Sequence, residues 1–257
     1  MHRVSQAASY IQKIAVAAMR LLPYWEWFGL WHPNPLVRAM RVRYMTSTPT
    51  PKQVERGLCD ESDLVREAWA RKLDFTPTPQ QVERGLTDAD KDVRYAWANR
   101  TDFIPTPEQI ERGLTDPSWQ VRVVWNYHPH LVLHDDIIKR GMCDKHHAVR
   151  MRFAKLQDFK PSQEHMVIGV SDPFPNVRLF WLKKHEVPLP DACKDTLVRD
   201  PNIEVLVELT KRCRELNPEH IQILLQNPSE YVRNSMSEQL ALQRDVVSDA
   251  DAPTEFL

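Results

Sequence analysis

Glycine is scarce in this chain and its placement is regular. The 257 residues hold six glycines, Gly29, Gly57, Gly85, Gly113, Gly141 and Gly169, and each stands 28 residues from the next. Single glycines exclude a glycine-rich phosphate loop, and no Gly-x-Ser-x-Gly, His-Glu-x-x-His or paired-carboxylate motif is present. Cysteine is almost as rare. Cys59, Cys143, Cys193 and Cys213 make no CxxC pair, which excludes a disulfide framework and fits a reducing, cytoplasmic setting. Cys59 and Cys143 share one repeat position, as a small buried side chain would. Net charge is also lacking: at −1 no global field draws the chain to nucleic acid or a membrane. Long apolar runs are missing too. The stretch from Tyr10 to Trp31 is broken by Lys13, Arg20, Pro23 and Glu26, so it is neither a membrane span nor a signal peptide.

What is present is a repeat. Val37-Arg38, Val65-Arg66, Val93-Arg94, Val121-Arg122, Val149-Arg150 and Val177-Arg178 keep the same 28-residue period as the glycines. A fixed period of this length marks a stacked array. The clearest copies span 48–75, 76–103 and 104–131. Each holds two helix starts. Thr78 caps the first, Pro79 occupies its first turn and Gln81 completes a capping box; Thr50/Gln53 and Thr106/Gln109 repeat this. The second helix is expected to start at Asp60, Asp88, Asp116, Asp144, Asp172 and Asp200, with Pro117, Pro173 and Pro201 at the first helical position.

Apolar residues mark one stripe on each helix: Val82 and Leu86 on the first, Val93, Ala96 and Trp97 on the second. Trp69, Trp97, Trp125 and Trp181 share that second-helix position and are expected in the core. The recurring glycine beside the stripe has two readings, a close helix approach that a Cβ would block, or a helix C-terminus. Asn227-Pro228 and Val232-Arg233 extend the phase after 27 residues. Eight units result, with degenerate ends. Residues 1–22 are expected to form an N-terminal capping helix, 23–240 the array, and 241–257 an acidic disordered tail bearing Asp245, Asp249, Asp251 and Glu255.

Paired short helices, with Asp opening the second and Val-Arg five and six residues later, resemble the HEAT-like α-solenoid superfamily. Its short-repeat branch, which includes variant leucine-rich repeats, is the most similar. The resemblance covers roughly residues 20–235 and implies an all-α, right-handed solenoid of about eight repeats. It also implies that second helices line a concave face, with Asp and Arg in a ladder: Asp60/Arg66, Asp88/Arg94, Asp116/Arg122, Asp144/Arg150 and Asp172/Arg178. The superfamily spans scaffolds, peptide binders, bilin lyases and a few DNA glycosylases, so it implies no single activity.

Candidate contact residues follow from the repeat. Arg66, Arg94, Arg122, Arg150 and Arg178 either pair with aspartates to stiffen the stack or grip an acidic partner or phosphates. Trp25, Trp27 and Trp31 cluster with Tyr24 and Phe28 in a basic region; residues 1–47 carry a local net charge of +5. They either cover the end of the stack or form an aromatic contact surface. His128, His130 and His134, followed by Cys143, His146 and His147, read as surface histidines in a partner-contacting segment and not as a zinc site. Specificity is expected where copies differ: Glu67, Tyr95, Val123, Met151 and Leu179, and Arg71, Asn99, Tyr127, Lys155 and Lys183. The expected function is a non-enzymatic scaffold without metal or cofactor that binds another protein through its concave face and basic aromatic N-terminal end. Nucleic-acid binding is the alternative, and a lyase or glycosylase activity a further one.

Overall fold

A computed structural model describes residues 29–156 and 159–250, with side chains through residue 243. Residues 1–28 lie outside it, and with them the expected capping helix, Tyr24, Trp25, Trp27 and Phe28. Fifteen α-helices and two short 3-10 helices make up the regular structure of the described residues. The chain divides into two units after Val132, and each is a stack of helix pairs.

In the first unit a 3-10 helix (Gly29–Trp31) leads into α1 (Pro35–Tyr44). Three pairs follow: α2 (Pro51–Leu58) with α3 (Asp63–Ala70), α4 (Pro79–Leu86) with α5 (Lys91–Ala98), and α6 (Pro107–Leu114) with α7 (Trp119–Trp125). First helices pack on first helices and second on second, so α2, α4 and α6 form one layer and α1, α3, α5 and α7 the other. The second unit repeats the plan. Its pairs are α8 (Asp135–Met142) with α9 (His147–Ala154), α10 (Gln163–Val170) with α11 (Pro175–Leu182), α12 (Asp191–Leu197) with α13 (Ile203–Thr210), and α14 (Pro218–Leu225) with α15 (Glu230–Ala250).

Helices of eight residues span only about 12 Å and do not hold on their own, so their ends and one buried face must be satisfied by neighbours. The capping boxes at Thr50/Gln53, Thr78/Gln81 and Thr106/Gln109 form as the sequence indicates, and Ser162/His165 adds another. Second helices begin later than expected. Their caps are Ser62, Asp90, Ser118, His146, Phe174 and Asn202, two residues after the repeated aspartate. Each aspartate instead accepts the backbone N–H two residues ahead, as in Asp88 with Asp90 at 2.9 Å and Asp172 with Phe174 at 2.8 Å. This Asx-type turn steers the chain into the helix. Pro175 and not Pro173 is therefore the proline in the first helical turn.

Five successive pairs each centre on one aromatic ring, and Leu209 and Met236 stand at that position in the last two. Trp69, Trp97, Trp125 and Trp181 are at most 1% exposed, and Phe153 takes the same place in the fourth pair. Of the two readings of the glycine, close approach holds. No described glycine has positive φ. A methyl group on Gly57, Gly85 or Gly113 would instead land inside the indole of Trp69, Trp97 or Trp125, and on Gly141 or Gly169 inside the ring of Phe153 or Trp181. Glycine in a helix costs about 1 kcal/mol against alanine. The flush seat it gives a ring of this size outweighs that cost.

Two further expectations need correction here. Cys59 and Cys143 are exposed, not buried; they end α2 and α8 where other repeats carry Thr87, Thr115 and Ser171, a solvent-facing cap position. The last helix runs to Ala250, into the segment expected as a frayed tail. That stretch opens with the good helix formers Ala241, Leu242, Gln243 and Arg244 and holds no proline before Pro253.

The glycine–tryptophan seat reverses a usual rule. Gly85→Ala should lower stability by about 1–3 kcal/mol in denaturant melts, because overpacking exceeds the propensity gain. An increase in stability would show that the ring yields freely.

Candidate interaction face and its supporting ladders

The repeated arginines sit at the start of the second helices and reach forward by one repeat. Arg66 binds Asp88 in bidentate fashion, with Nε–Oδ2 at 2.7 Å and Nη2–Oδ1 at 2.8 Å. Arg94 holds Asp116 at 2.7 and 2.9 Å. In the second unit Arg150 holds Asp172 at 2.6 and 2.9 Å, and Arg178 holds Asp200 at 2.7 and 2.8 Å. Arg38 makes the same pair with Asp60. The remaining nitrogen turns back to the carbonyls of the arginine's own entry turn: Arg94 Nη1 donates to Asp88 O at 2.9 Å and Ala89 O at 3.0 Å. Arg122 donates to Asp116 O at 2.7 Å and Pro117 O at 3.2 Å. Hydrogen bonding to Asp88, Asp116 and Asp172 pushes the pKa of Arg66, Arg94 and Arg150 further above the ordinary value, so these groups stay charged. The side chains of Arg66, Arg94, Arg150 and Arg178 are 11–18% exposed, and their fork geometry is taken up within the stack.

A second ladder was not singled out in the sequence. At one repeat position just past the second helices, every repeat from Lys72 to Arg212 except the one with Leu156 places a base or histidine against the C-terminal carbonyls of the preceding second helix, which lack partners of their own. Arg100 reaches Ala70 O at 2.9 Å and Lys72 O at 2.6 Å, while Asp102 neutralises it. Lys184 reaches Leu156 O at 2.7 Å, and Arg212 reaches Leu182, Lys184 and Val187. His128 holds this position between Arg100 and Lys184: it is buried, stacked on Trp125 at 5.0 Å, with Nε2 3.3 Å from Arg100 O. It is therefore not the surface histidine expected, because its repeat position points inward. The signal was there to find, in Lys72, Arg100, His128, Lys184 and Arg212 at multiples of 28 residues.

First helices are tied as well. The capping glutamines reach back one repeat, Gln81 to Glu55 and Gln109 to Glu83, both at 2.9 Å. Arg84 and Arg112 join the same carboxylates at 2.7 and 2.6 Å. Hydrogen bonds from Gln81 and then Arg84 hold Glu55 below the usual carboxylate range, and Arg112 and then Gln109 do so for Glu83. In the second unit His165 replaces the glutamine, its Nε2 lying 3.1 Å from Asp135. Burial lowers the pKa of His165 and of His128.

The remaining candidates lie on the second-helix face. Tyr95 is half-buried, with the Arg71 guanidinium 5.8 Å from its ring centre, and Tyr127 is exposed. Arg71, Asn99, Tyr127, Lys155, Lys183 and Lys211 occupy one repeat position just past each second helix, and all are exposed. Trp31 is 49% exposed beneath the Arg56 guanidinium, 3.3 Å from its ring centre, beside a cavity of about 350 Å³ that Gln53 and Trp69 also line. His146, His147 and Phe174 stack in sequence, at 4.7 and 4.2 Å. Among the described residues no group of three or more His, Cys, Asp or Glu side chains could hold a metal ion. No described helix is long and apolar enough to cross a membrane.

Short helix pairs with interlocked ladders define the class: a helical tandem-repeat protein, an α-solenoid. The chain is similar in fold to a solved leucine-rich repeat variant with a novel repetitive structural motif, at 24% identity and a TM-score of 0.60, over 86% of this chain and 83% of that one. No protein-family model matches the chain, and no curated protein does.

Two outcomes follow from these ladders. Asp88→Ala removes the carboxylate that Arg66 holds and should cost about 3–5 kcal/mol, whereas replacing both partners with apolar residues of similar size should cost less; unfolding curves of the single and double variants would separate the two. The buried histidines set a pH dependence. With folded pKa values below the ordinary value near 6.5, the unfolded chain binds protons first, so stability should fall as pH drops from about 6.5. His165→Gln, which restores the residue of the earlier capping boxes, should flatten part of that slope in melts between pH 7.5 and 5.5. An unchanged slope would refute the assignment.

Proposed function

We propose that the chain is a non-catalytic scaffold that binds another protein through the exposed face of its second helices. One observation carries the reading. Residues that repeat without change are occupied inside the stack, whereas the exposed position past each second helix changes from Arg71 to Asn99, Tyr127, Lys155, Lys183 and Lys211. A scaffold keeps its frame constant and varies the surface that reads a partner. In this reading contact falls to Tyr95, Tyr127 and the basic positions beside them more than to the arginine row, whose charge is matched by aspartate. Trp31 with Arg56 supplies a second aromatic and basic point at the N-terminal end. The same proposal places the array in the HEAT-like superfamily, with the second helices concave, and the protein in the cytoplasm.

Photo-crosslinking residues at Tyr95 and Tyr127, compared with Gln80 and Glu108 on the first-helix layer, test this in extract of the native host. Discrete protein adducts are expected from the first pair only. Adducts from Gln80 and Glu108 alone would contradict it. Nuclease-sensitive adducts that vanish steeply with salt would favour nucleic acid instead.

A further inference from the structure

In the second unit the variable position carries a lysine in three successive repeats. Lys155, Lys183 and Lys211 follow α9, α11 and α13, which pack side by side. All three are exposed. Phe180 lies between the first two, with Lys155 Nζ 4.9 Å and Lys183 Nζ 5.4 Å from its ring centre. At the end of the row is a cavity of about 350 Å³ whose wall includes Lys211, His185, Arg214, Gln239 and Gln243. Two acids are set among these bases: Glu208 holds Lys211 at 2.8 Å and lies 3.8 Å from His185, and Glu215, which also lines the cavity, is taken up by Arg212 at 2.6 Å. The corresponding positions of the first unit differ: Arg43 and Arg71 share Glu67, and Asn99 and Tyr127 carry no charge.

We infer that this face binds an extended acidic peptide segment of a partner protein, with a carboxylate at every third residue. The inference deepens the scaffold reading above and rests on it. Adjacent packed helices lie about 8–10 Å apart. A polyproline-II peptide has three residues per turn and rises 3.1 Å per residue, so equivalent side chains recur about every 9 Å and match the lysine row. A nucleic-acid strand matches less well. Along a DNA duplex the phosphates of one strand recur about every 3.4 Å of helix axis, so two in three would meet no lysine, and Glu208 would repel those near the end. Phe180 offers an apolar surface between charges, and the cavity beyond Lys211 takes one further acidic or amide side chain, or a peptide carboxylate, against His185 and Arg214.

The test uses the full chain and two labelled peptides of equal composition in a Pro/Ala background. One carries three aspartates spaced three apart and the other carries them adjacent. Fluorescence anisotropy at low salt should show the spaced peptide binding about tenfold tighter than the adjacent one. Lys155→Glu with Lys183→Glu should weaken it by about tenfold or more without shifting the thermal midpoint, because both side chains are exposed. Arg43→Glu with Arg71→Glu, at the same position in the first unit, should change it less than about twofold. Equal affinity for both peptides, undiminished binding to the lysine variant, no binding of either peptide, or tighter binding of oligo(dT) would each overturn the inference. If crosslinks from Tyr95 and Tyr127 persist while the peptides fail, the acidic-peptide inference falls and the scaffold reading stands.

Discussion

The seating of one aromatic ring against one glycine, repeated in five successive helix pairs, is the contact on which the rest depends. An eight-residue helix buries little and has half its backbone groups at its ends. Pairing becomes profitable only if the two helices approach closely around a large apolar side chain, and a Cβ on the first helix would prevent it. The ring fixes the approach of the pair, and that sets which turn follows and where its aspartate stands. Phe153 in place of tryptophan in the fourth pair shows that the constraint is a flat ring over a bare backbone and not indole chemistry.

Stacking one pair on the next raises a different problem, because every short helix exposes unsatisfied ends. The chain answers it with side chains borrowed from the adjoining repeat. At the start of second helices the aspartate orders its own turn and receives the previous repeat's arginine. At their ends a base covers the previous helix's carbonyls. On the first helices the capping residue reaches back to a carboxylate. Ion pairs of this kind add little net stability over apolar substitutes, but they are costly to break singly. Their contribution is register: each repeat fits its neighbour in one position only. Charge used in this way is unavailable to a partner, which moves attention to the residues between the ladders.

Much of this was legible before any coordinates. The period, the pairing of helices, the capping boxes and the buried tryptophans all follow from residues that recur, since one contact repeated many times leaves an unambiguous pattern. The failures have local causes. Asp60 and its equivalents look like helix caps because an Asx turn and an N-cap favour the same residue. Cys59 and Cys143 looked buried because recurrence alone does not say which way a position faces. His128 was read with its sequence neighbours, when its meaning lay 28 residues away in Arg100. The second-helix surface was legible only as a list of positions. That Phe180 lies between Lys155 and Lys183 needed the fold, because those residues sit 25 and 3 apart in the chain.

The central claim is a division of labour: constant positions build the stack, and changing positions on the second helices face outward for recognition. A saturation scan of every position, scored by soluble abundance of the full chain, tests it most directly. Intolerance should recur with the 28-residue period at the glycines, the rings and the arginine–aspartate pairs, while Tyr95, Tyr127, Lys155 and Lys183 accept nearly any residue. Intolerance without that period, or as severe at those four positions as at Trp97, would contradict it.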